Sequence, residues 1–350
     1  MASAREWIEG ARLRTLPASV SPVVTGTGLA QFGWDHAWPS QGLVSDAGGA
    51  WTVIAPLLCL VVAVAIQVGS NLSNDYSDGI RGTDAHRVGP QRLVGSGAAS
   101  PRHVKRAALA AYGLAGLAGM VLLVWYGRWY SGETWRLVWH QPSGLIGRPG
   151  LAVVLLVAGV ACIVAAWFYT GGRHPYGYAG LGEVFVFIFY GLVATIGTAL
   201  VQTDSRCYCV DGPDGGWCGC VGALSWPVAL LTGSVMGLIC VNILVANNLR
   251  DLQSDKAVGK NTLATRMGDR ATRWLYIGLT GLAEVGVVAI AALTSWWALL
   301  GLIGVNLVAW HCWRVWRGAE GRELIVVLKW TGLAELAAAI GLFVGWVIAV

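Results

Sequence analysis

Charged residues are scarce in this chain of 350 residues. Asp, Glu, Lys and Arg make up 12% of it, against about 25% in a soluble globular domain, while hydrophobic residues make up 55%. Charge is absent from stretches such as 107–127, 149–172 and 215–249. A helix needs about 20 apolar residues to cross a hydrocarbon core, and lipid offers backbone groups no hydrogen-bond partner. The composition therefore excludes a soluble domain and predicts membrane-spanning helices.

The hydrophobic pattern predicts an all-α integral membrane protein, in one polytopic domain over residues 1–350. A cleaved signal peptide is not expected, because Arg5, Glu6 and Glu9 precede an apolar run that is long and interrupted by Pro17 and Pro22. The nine predicted transmembrane helices are 15–34, 51–73, 107–127, 149–169, 184–203, 226–247, 273–293, 296–313 and 326–348.

Basic residues are distributed unevenly between the two sides of the predicted membrane. All but four of the 24 Lys and Arg lie in the N-terminal segment or after an even-numbered span. The positive-inside rule predicts a cytoplasmic N-terminus and an extracytoplasmic C-terminus in the cell membrane. The net charge of +5 then belongs to cytoplasmic loops that face lipid head groups or an anionic substrate, and no nucleic-acid partner is expected.

Four of the eight cysteines lie together in the predicted outer loop 204–224. Cys207, Cys209, Cys218 and Cys220 form a C-x-C…C-x-C pattern. On the oxidising side of a membrane this pattern favours two disulfides. A zinc site and free thiols are the alternatives.

The two long inner loops, 71–106 and 247–273, contain similar patterns of Asn and Asp. Asn74 precedes Asp78 by four residues, and Asp251 precedes Asp255 by four. Residues four apart share one face of a helix. Carboxylate and amide oxygens suit Mg²⁺, which completes its shell with water and phosphate oxygens. The pattern predicts a site for Mg²⁺ and a diphosphate at the inner ends of the spans.

Basic residues in the same loops favour this chemistry, because cations and metals that neutralise an allylic diphosphate allow it to ionise. A cavity between apolar helices would shelter the resulting carbocation from water. The basic residues of these loops include Arg81, Arg87, Arg92, Lys105, Arg106, Arg250, Lys256 and Lys260.

These motifs resemble the two signatures of the UbiA superfamily of intramembrane prenyltransferases. Residues 71–84 (NLSNDYSDGIRGTD) are similar to the first signature, and residues 251–255 (DLQSD) with 259–264 (GKNTLA) are similar to the second. Within the superfamily the first stretch is most like the MenA family, the 1,4-dihydroxy-2-naphthoate polyprenyltransferases. Residues 169–172 (YTGG) and 178–183 (YAGLGE) strengthen this resemblance.

The resemblance implies nine helices around a central cavity that cytoplasmic loops cap. It also implies Mg²⁺ as cofactor and transfer of a polyprenyl group from its diphosphate to 1,4-dihydroxy-2-naphthoate, with loss of CO₂, to give demethylmenaquinone. The metal-binding residues that it implies are Asn74, Asp75, Asp78, Asp84, Asp251 and Asp255. Of these, Asp78, Asp84, Asp251 and Asp255 are expected to be essential for catalysis.

The substrate-binding candidates come partly from the resemblance and partly from the basic loops. Tyr169 and Tyr178 are candidates for stabilising a carbocation or stacking on the acceptor, with simple packing as the alternative. Arg14 is a candidate for pairing with the acceptor carboxylate or with a lipid head group. The full set is Asn74, Arg92, Lys105, Lys256, Lys260, Tyr169, Tyr178 and Arg14.

Two carboxylates interrupt the predicted spans. Glu284 and Glu335 lie within otherwise apolar stretches. Carboxylates inside a membrane are costly, so interhelical hydrogen bonds by the protonated groups are the preferred interpretation.

Other functions stay open from the sequence. The same chemistry with another aromatic acceptor, such as 4-hydroxybenzoate, homogentisate or a tetrapyrrole, is the nearest alternative. A cation-coupled transporter is the alternative of another class, although its sites are expected near the middle of the bilayer. A non-catalytic scaffold would not need carboxylates at repeated four-residue spacing.

Overall fold

The computed structural model describes residues 2–37, 50–82, 92–126, 129–131, 134–136, 148–203, 207–210, 217–220 and 224–349. Most of these residues are helical. The first seven helices are α1 (Ala4–Ala11), α2 (Pro17–Ala37), α3 (Trp51–Arg81), α4 (Pro101–Tyr126), α5 (Arg148–Phe168), α6 (Gly182–Val186) and α7 (Ala194–Thr203). The remaining six are α8 (Trp226–Arg250), α9 (Leu252–Ala257), α10 (Leu263–Met267), α11 (Asp269–Leu293), α12 (Leu302–Trp316) and α13 (Gly321–Ile348).

Shorter elements join these helices. A π-helical turn, Phe187–Val193, connects α6 to α7, and 3₁₀ turns occupy Leu13–Thr15, Tyr176–Tyr178 and Trp296–Gly301. Two antiparallel ribbons are formed by β1 (Trp129–Ser131) with β2 (Thr134–Arg136) and by β3 (Cys207–Val210) with β4 (Trp217–Cys220). The backbone register sets Cys207 opposite Cys220 and Cys209 opposite Cys218. Their side chains lie outside the described part of the chain, so the disulfides stay a prediction.

The chain is a multi-pass membrane protein. Within the described residues, eight helical stretches are long and apolar enough to cross a membrane, and they correspond to the second to ninth predicted spans. The first predicted span, 15–34, forms α2, which packs against α7 and α13 but is not among the eight. The predicted count of nine is therefore not confirmed. Exposed apolar side chains such as Leu117, Val157 and Trp310 form the surface that lipid requires.

Several helices extend beyond the predicted spans. α3 begins at Trp51 and continues to Arg81, where Gly82 adopts a left-handed conformation (φ 71°) that closes the helix. The first half of the Asn/Asp pattern therefore lies on a helix and not in a loop. The second predicted loop is also largely helical, because it contains the end of α8 together with α9 and α10. Rigid helices thus hold the motif side chains.

α8 lies at the centre of the bundle. It is the most buried of the eight spans, and α5 is the least buried. The π-helical turn approaches α8 closely at two glycines: a Cβ on Gly191 would lie 2.5 Å from the Cα of Gly237. Small residues allow such close contact between membrane helices. This contact fixes the wall that α8 and the π-helical turn build together.

Glu335 on α13 differs from its prediction. Its side chain is completely buried, and neither carboxyl oxygen has a hydrogen-bond partner among the described residues. The predicted interhelical hydrogen bond is therefore wrong for Glu335. α8 and α13 contribute apolar side chains, such as Ile239 and Leu342, to the main hydrophobic cluster of the bundle.

Candidate active site

A cavity of about 540 Å³ runs along α3 and extends to α4, α5, the π-helical turn and α8. On α3 it is lined from Cys59 to Asp78, which corresponds to about 28 Å at the helical rise of 1.5 Å per residue. The polar residues at its motif end include Asn74, Asp78, Arg92, Asn247, Asn248 and Lys260. Most of the remaining wall is apolar. The cavity therefore joins a charged end to a channel that suits hydrocarbon.

The channel is open sideways between α4 and α5. Gly116 and Met120 on α4, and Leu156, Gly159 and Val160 on α5, line the cavity and are also exposed at the surface of the protein. This surface belongs to the apolar belt of the bundle. A lipid-like chain in the cavity can therefore reach the bilayer without passing through water.

The first motif presents Asn74 and Asp78 to the cavity, as their four-residue spacing predicts. One oxygen of Asp78, Oδ1, accepts a hydrogen bond from the Tyr178 hydroxyl at 2.8 Å, and the other, Oδ2, lies 3.6 Å from Arg92 Nη2. Asn74 Oδ1 accepts a hydrogen bond from Thr170 Oγ1 at 2.8 Å. The side chains of Tyr178, Arg92 and Thr170 therefore orient the oxygens of Asn74 and Asp78.

Asp75 has a different environment from its neighbours on α3. Its two oxygens accept hydrogen bonds from the backbone N–H groups of Leu93 and Val94, at 2.8 and 3.0 Å. It is buried and is not part of the cavity wall. These contacts fix the start of the segment after residue 91. The arrangement favours a structural role for Asp75 over the predicted metal ligation.

The second motif is paired with basic residues. The guanidinium of Arg250 contacts both oxygens of Asp251 at 2.7 Å and donates to Asn247 Oδ1 at 2.8 Å. The ammonium of Lys260 lies 3.7 Å from Asp255 Oδ1. Asp251 and Asp255 are both buried. These cations compensate the carboxylate charges that would otherwise be costly to bury.

Tyr178 and Lys260 connect the two motifs. Tyr178 donates to Asp78, and the Lys260 ammonium lies 5.1 Å from the centre of the Tyr178 ring while it also approaches Asp255. The segment with Tyr178 and the segment with Lys260 therefore meet at the mouth of the cavity. The tertiary structure brings the two sequence motifs to one site.

The donor set at this site fits Mg²⁺ when a diphosphate is also present. Among the described residues, no three Asp, Glu, His or Cys side chains converge as a ready-made metal site. The available donors are carboxylate and amide oxygens, and Mg²⁺ characteristically combines one or two carboxylates with water and phosphate oxygens. Asp84, the remaining predicted ligand, lies outside the described residues.

Other predicted residues lie farther from the cavity. Lys256 and Arg14 are exposed and do not line it. The Lys105 ammonium lies over the rings of Tyr76 and Trp167, at 5.7 and 5.8 Å from their centres. A missed residue, Arg12, does line the cavity and sits at a left-handed turn with φ 54°. Nothing in the local sequence distinguishes Arg12 from Arg14, because that turn decides their positions.

An aromatic wall lies next to the polar end. Tyr176 stacks on Phe185 with ring centres 4.0 Å apart, Tyr169 meets Tyr176 edge-on at 5.5 Å, and Phe189 follows Phe185 at 5.8 Å. All four rings line the cavity. Of these, only Tyr169 is predicted from the sequence. The phenolic hydroxyl of Tyr169 can both donate and accept a hydrogen bond.

Several known proteins with similar sequences are named 1,4-dihydroxy-2-naphthoate octaprenyltransferases. The model of the UbiA prenyltransferase family matches residues 143–348. The 1,4-dihydroxy-2-naphthoate octaprenyltransferase of Mycobacterium tuberculosis is 41% identical over 97% of this chain and 96% of its own length. The protein of the same name from Escherichia coli is 30% identical over 75% of this chain and 68% of its own length.

Solved structures show the same fold at low sequence identity. The apo structure of a UbiA homolog from Aeropyrum pernix has a TM-score of 0.59 at 14% identity and covers 96% of this chain and 98% of its own. A UbiA homolog from Archaeoglobus fulgidus, bound to GPP and Mg²⁺, has a TM-score of 0.57 at 10% identity and covers 98% of this chain and 99% of its own.

Proposed function

Because the chain belongs to the UbiA prenyltransferase family, we propose that it transfers a polyprenyl group from a polyprenyl diphosphate to 1,4-dihydroxy-2-naphthoate. The prenyl group replaces the acceptor carboxylate, which leaves as CO₂, and the products are demethylmenaquinol, the reduced form of demethylmenaquinone, and diphosphate. The naphthoate is assigned from the relatives that carry this activity in their names. The observation that supports the proposal is the cavity, whose polar end is lined by Asn74, Asp78 and Lys260 and whose remaining wall is mostly apolar.

The diphosphate binds at the polar end of the cavity. Arg92 and Lys260 line this end and supply positive charge to it. The residues that would hold Mg²⁺ are Asn74, Asp78, Asp84, Asp251 and Asp255. Mg²⁺ held there would supply positive charge that neutralises the diphosphate and makes it a better leaving group. Arg250 keeps Asp251 oriented, and Tyr178 does the same for Asp78.

The prenyl chain occupies the apolar part of the cavity and reaches lipid through the opening between α4 and α5. The allylic end then lies beside the aromatic wall. The ring faces of Tyr169 and Phe185 carry negative quadrupole charge that stabilises a nearby cation. Apolar helices around the channel exclude water, which would otherwise capture the cation as an alcohol.

The protein lies in the cell membrane with its motifs on the cytoplasmic side. The uneven distribution of Lys and Arg supports this orientation, with the N-terminus in the cytoplasm and the C-terminus outside. Both substrates then meet at the cytoplasmic face: the diphosphate head group at the cavity mouth, and the naphthoate from solution.

A product assay on purified protein in liposomes tests the proposal. The reactions contain a polyprenyl diphosphate and 1,4-dihydroxy-2-naphthoate, with Mg²⁺ or with EDTA, and a parallel set offers 4-hydroxybenzoate. We expect demethylmenaquinol, recovered as the quinone after oxidation in air, and CO₂ only with the naphthoate and only with metal. Product from 4-hydroxybenzoate alone would assign another acceptor. No product from folded protein, beside an active control enzyme, would contradict the prenyltransferase assignment.

A further inference from the structure

Glu183 and Asn248 form a buried polar pair beside the cavity, outside both metal motifs. Asn248 Nδ2 on α8 donates a hydrogen bond of 2.9 Å to Glu183 Oε1 on α6. Glu183 Oε2 is buried without a partner among the described residues. Burying a carboxylate with one unsatisfied oxygen costs stability. This cost has an explanation if Glu183 serves to hold Asn248 in one orientation.

The pair fixes which end of the Asn248 amide faces the cavity. Asn248 lines the cavity, whereas Glu183 does not. The NH₂ group of Asn248 is directed to Glu183, so the amide oxygen of Asn248, Oδ1, is the end left to face the cavity. Within the described part of the chain, Oδ1 has no hydrogen-bond partner, and it is not among the fully buried atoms. The cavity wall therefore offers a hydrogen-bond acceptor of fixed direction.

An amide oxygen favours ligands that are not negatively charged and that can donate a hydrogen bond. It repels the oxygens of a diphosphate and has no complement in a hydrocarbon chain, but it accepts a hydrogen bond from a hydroxyl group. The phenolic hydroxyl of Tyr169 lies nearby: its oxygen is 3.4 Å from the position of a Cβ on Gly182, the residue before Glu183. Tyr169 also lines the cavity. The cavity lining thus contains one hydrogen-bond acceptor, Asn248 Oδ1, and one donor, the Tyr169 hydroxyl.

We infer that Asn248, oriented by Glu183, receives a hydrogen bond from a ring hydroxyl of the aromatic acceptor and so helps to select a hydroxylated ring. This inference rests on the proposed function and assigns part of its acceptor site. Asn248 lies three residues before Asp251, about one helical turn deeper in the membrane. The acceptor ring then lies one turn inside the metal motif, next to the aromatic wall where the allylic cation forms.

Steady-state kinetics of variants in liposomes test the assignment. Asn248→Ala removes the amide oxygen that accepts the hydrogen bond. Glu183→Leu removes the carboxylate that orients the Asn248 amide. We expect each to raise KM for 1,4-dihydroxy-2-naphthoate roughly tenfold, the upper range for one neutral hydrogen bond. KM for the polyprenyl diphosphate and the Mg²⁺ concentration for half-maximal turnover should not change. Glu183→Gln keeps an oxygen for the amide and should restore a KM close to wild type.

The matched control is Asn242→Ala. Asn242 is also a buried amide on α8, but it donates to the Tyr276 carbonyl and to Thr280 Oγ1 on α11 and does not line the cavity. Its substitution should lower thermal stability and leave both KM values unchanged. A KM increase for the naphthoate that is equal in Asn242→Ala and Asn248→Ala would overturn the assignment, because a general loss of packing would explain it.

Binding of acceptor analogues gives a measure of ligand selectivity that a general loss of packing does not change. Equilibrium binding of the naphthoate and of its mono-O-methyl ethers is measured by fluorescence quenching on folded wild-type and Asn248→Ala protein. The wild type should discriminate against at least one ether, and Asn248→Ala should lose that discrimination. Equal discrimination by both proteins, or a shifted Mg²⁺ requirement in Asn248→Ala, would refute the role in acceptor binding. Wild type that makes no prenylated naphthoate would refute the proposed function, and this inference with it.

Discussion

Tyr178→Phe isolates the hydrogen bond that orients Asp78. The Tyr178 hydroxyl donates to Asp78 Oδ1 at 2.8 Å, and the Asp78 side chain is buried. A hydrogen bond to a charged group contributes about 1.5–3 kcal/mol, and losing a group that orients a metal ligand weakens metal affinity by roughly 10–100-fold. We expect the Mg²⁺ concentration for half-maximal turnover to rise at least about tenfold, with kcat at saturating Mg²⁺ little changed.

Asp78→Asn is the companion change. It preserves the size of the side chain but removes the negative charge that is proposed to bind Mg²⁺. Turnover should fall by roughly 10²-fold or more, the scale of losing one electrostatic contact to the transition state, and added Mg²⁺ should not restore it. The double variant with Tyr178→Phe should be no worse than Asp78→Asn alone, because Tyr178 acts through Asp78. Product formation over a Mg²⁺ titration measures all three variants.

Asp75→Asn is the control for the same turn of α3. Its carboxylate accepts from two backbone N–H groups, so the variant should lose stability, measured as a lower Tm, and keep the wild-type Mg²⁺ curve. An unchanged Mg²⁺ curve in Tyr178→Phe would refute the orienting role. Near-normal turnover in Asp78→Asn would remove Asp78 from the metal site, and a shifted curve in Asp75→Asn would return Asp75 to it.

Three further predictions concern the charge at the polar end of the cavity, a close helix contact and a buried carboxyl group. Lys260→Met should raise KM for the polyprenyl diphosphate several-fold, because Lys260 lines the polar end, whereas Lys105→Met should not; equal effects would contradict the cavity assignment. Gly191→Val should lower Tm sharply, since its Cβ would lie 2.5 Å from the Gly237 Cα, and an unchanged Tm would show that this helix contact is not close. Glu335→Leu should stabilise the fold by about 1–3 kcal/mol, because it removes an unpaired buried carboxyl, and a lower Tm in thermal unfolding would indicate a partner for it.

The sequence determined what depends on local periodicity. A run of about 20 uncharged residues has one stable state in lipid, so eight of the spans follow from composition. The four-residue spacing of Asn74 and Asp78 sets both on one face of α3, whatever the rest of the fold does. The resemblance of the motifs to the UbiA family also needed only the order of residues, and the family is confirmed.

Only the tertiary structure decided which neighbouring groups share the site. Asp75 follows Asn74 directly, yet helix rotation turns it to the backbone of residues 93 and 94. Tyr178 reaches Asp78 across 100 residues of chain. One left-handed residue places Arg12 and not Arg14 at the cavity. Such contacts depend on how separate helices pack and on the direction that the chain takes after single turns. Neither produces a periodic pattern of residues that could be recognised in the sequence.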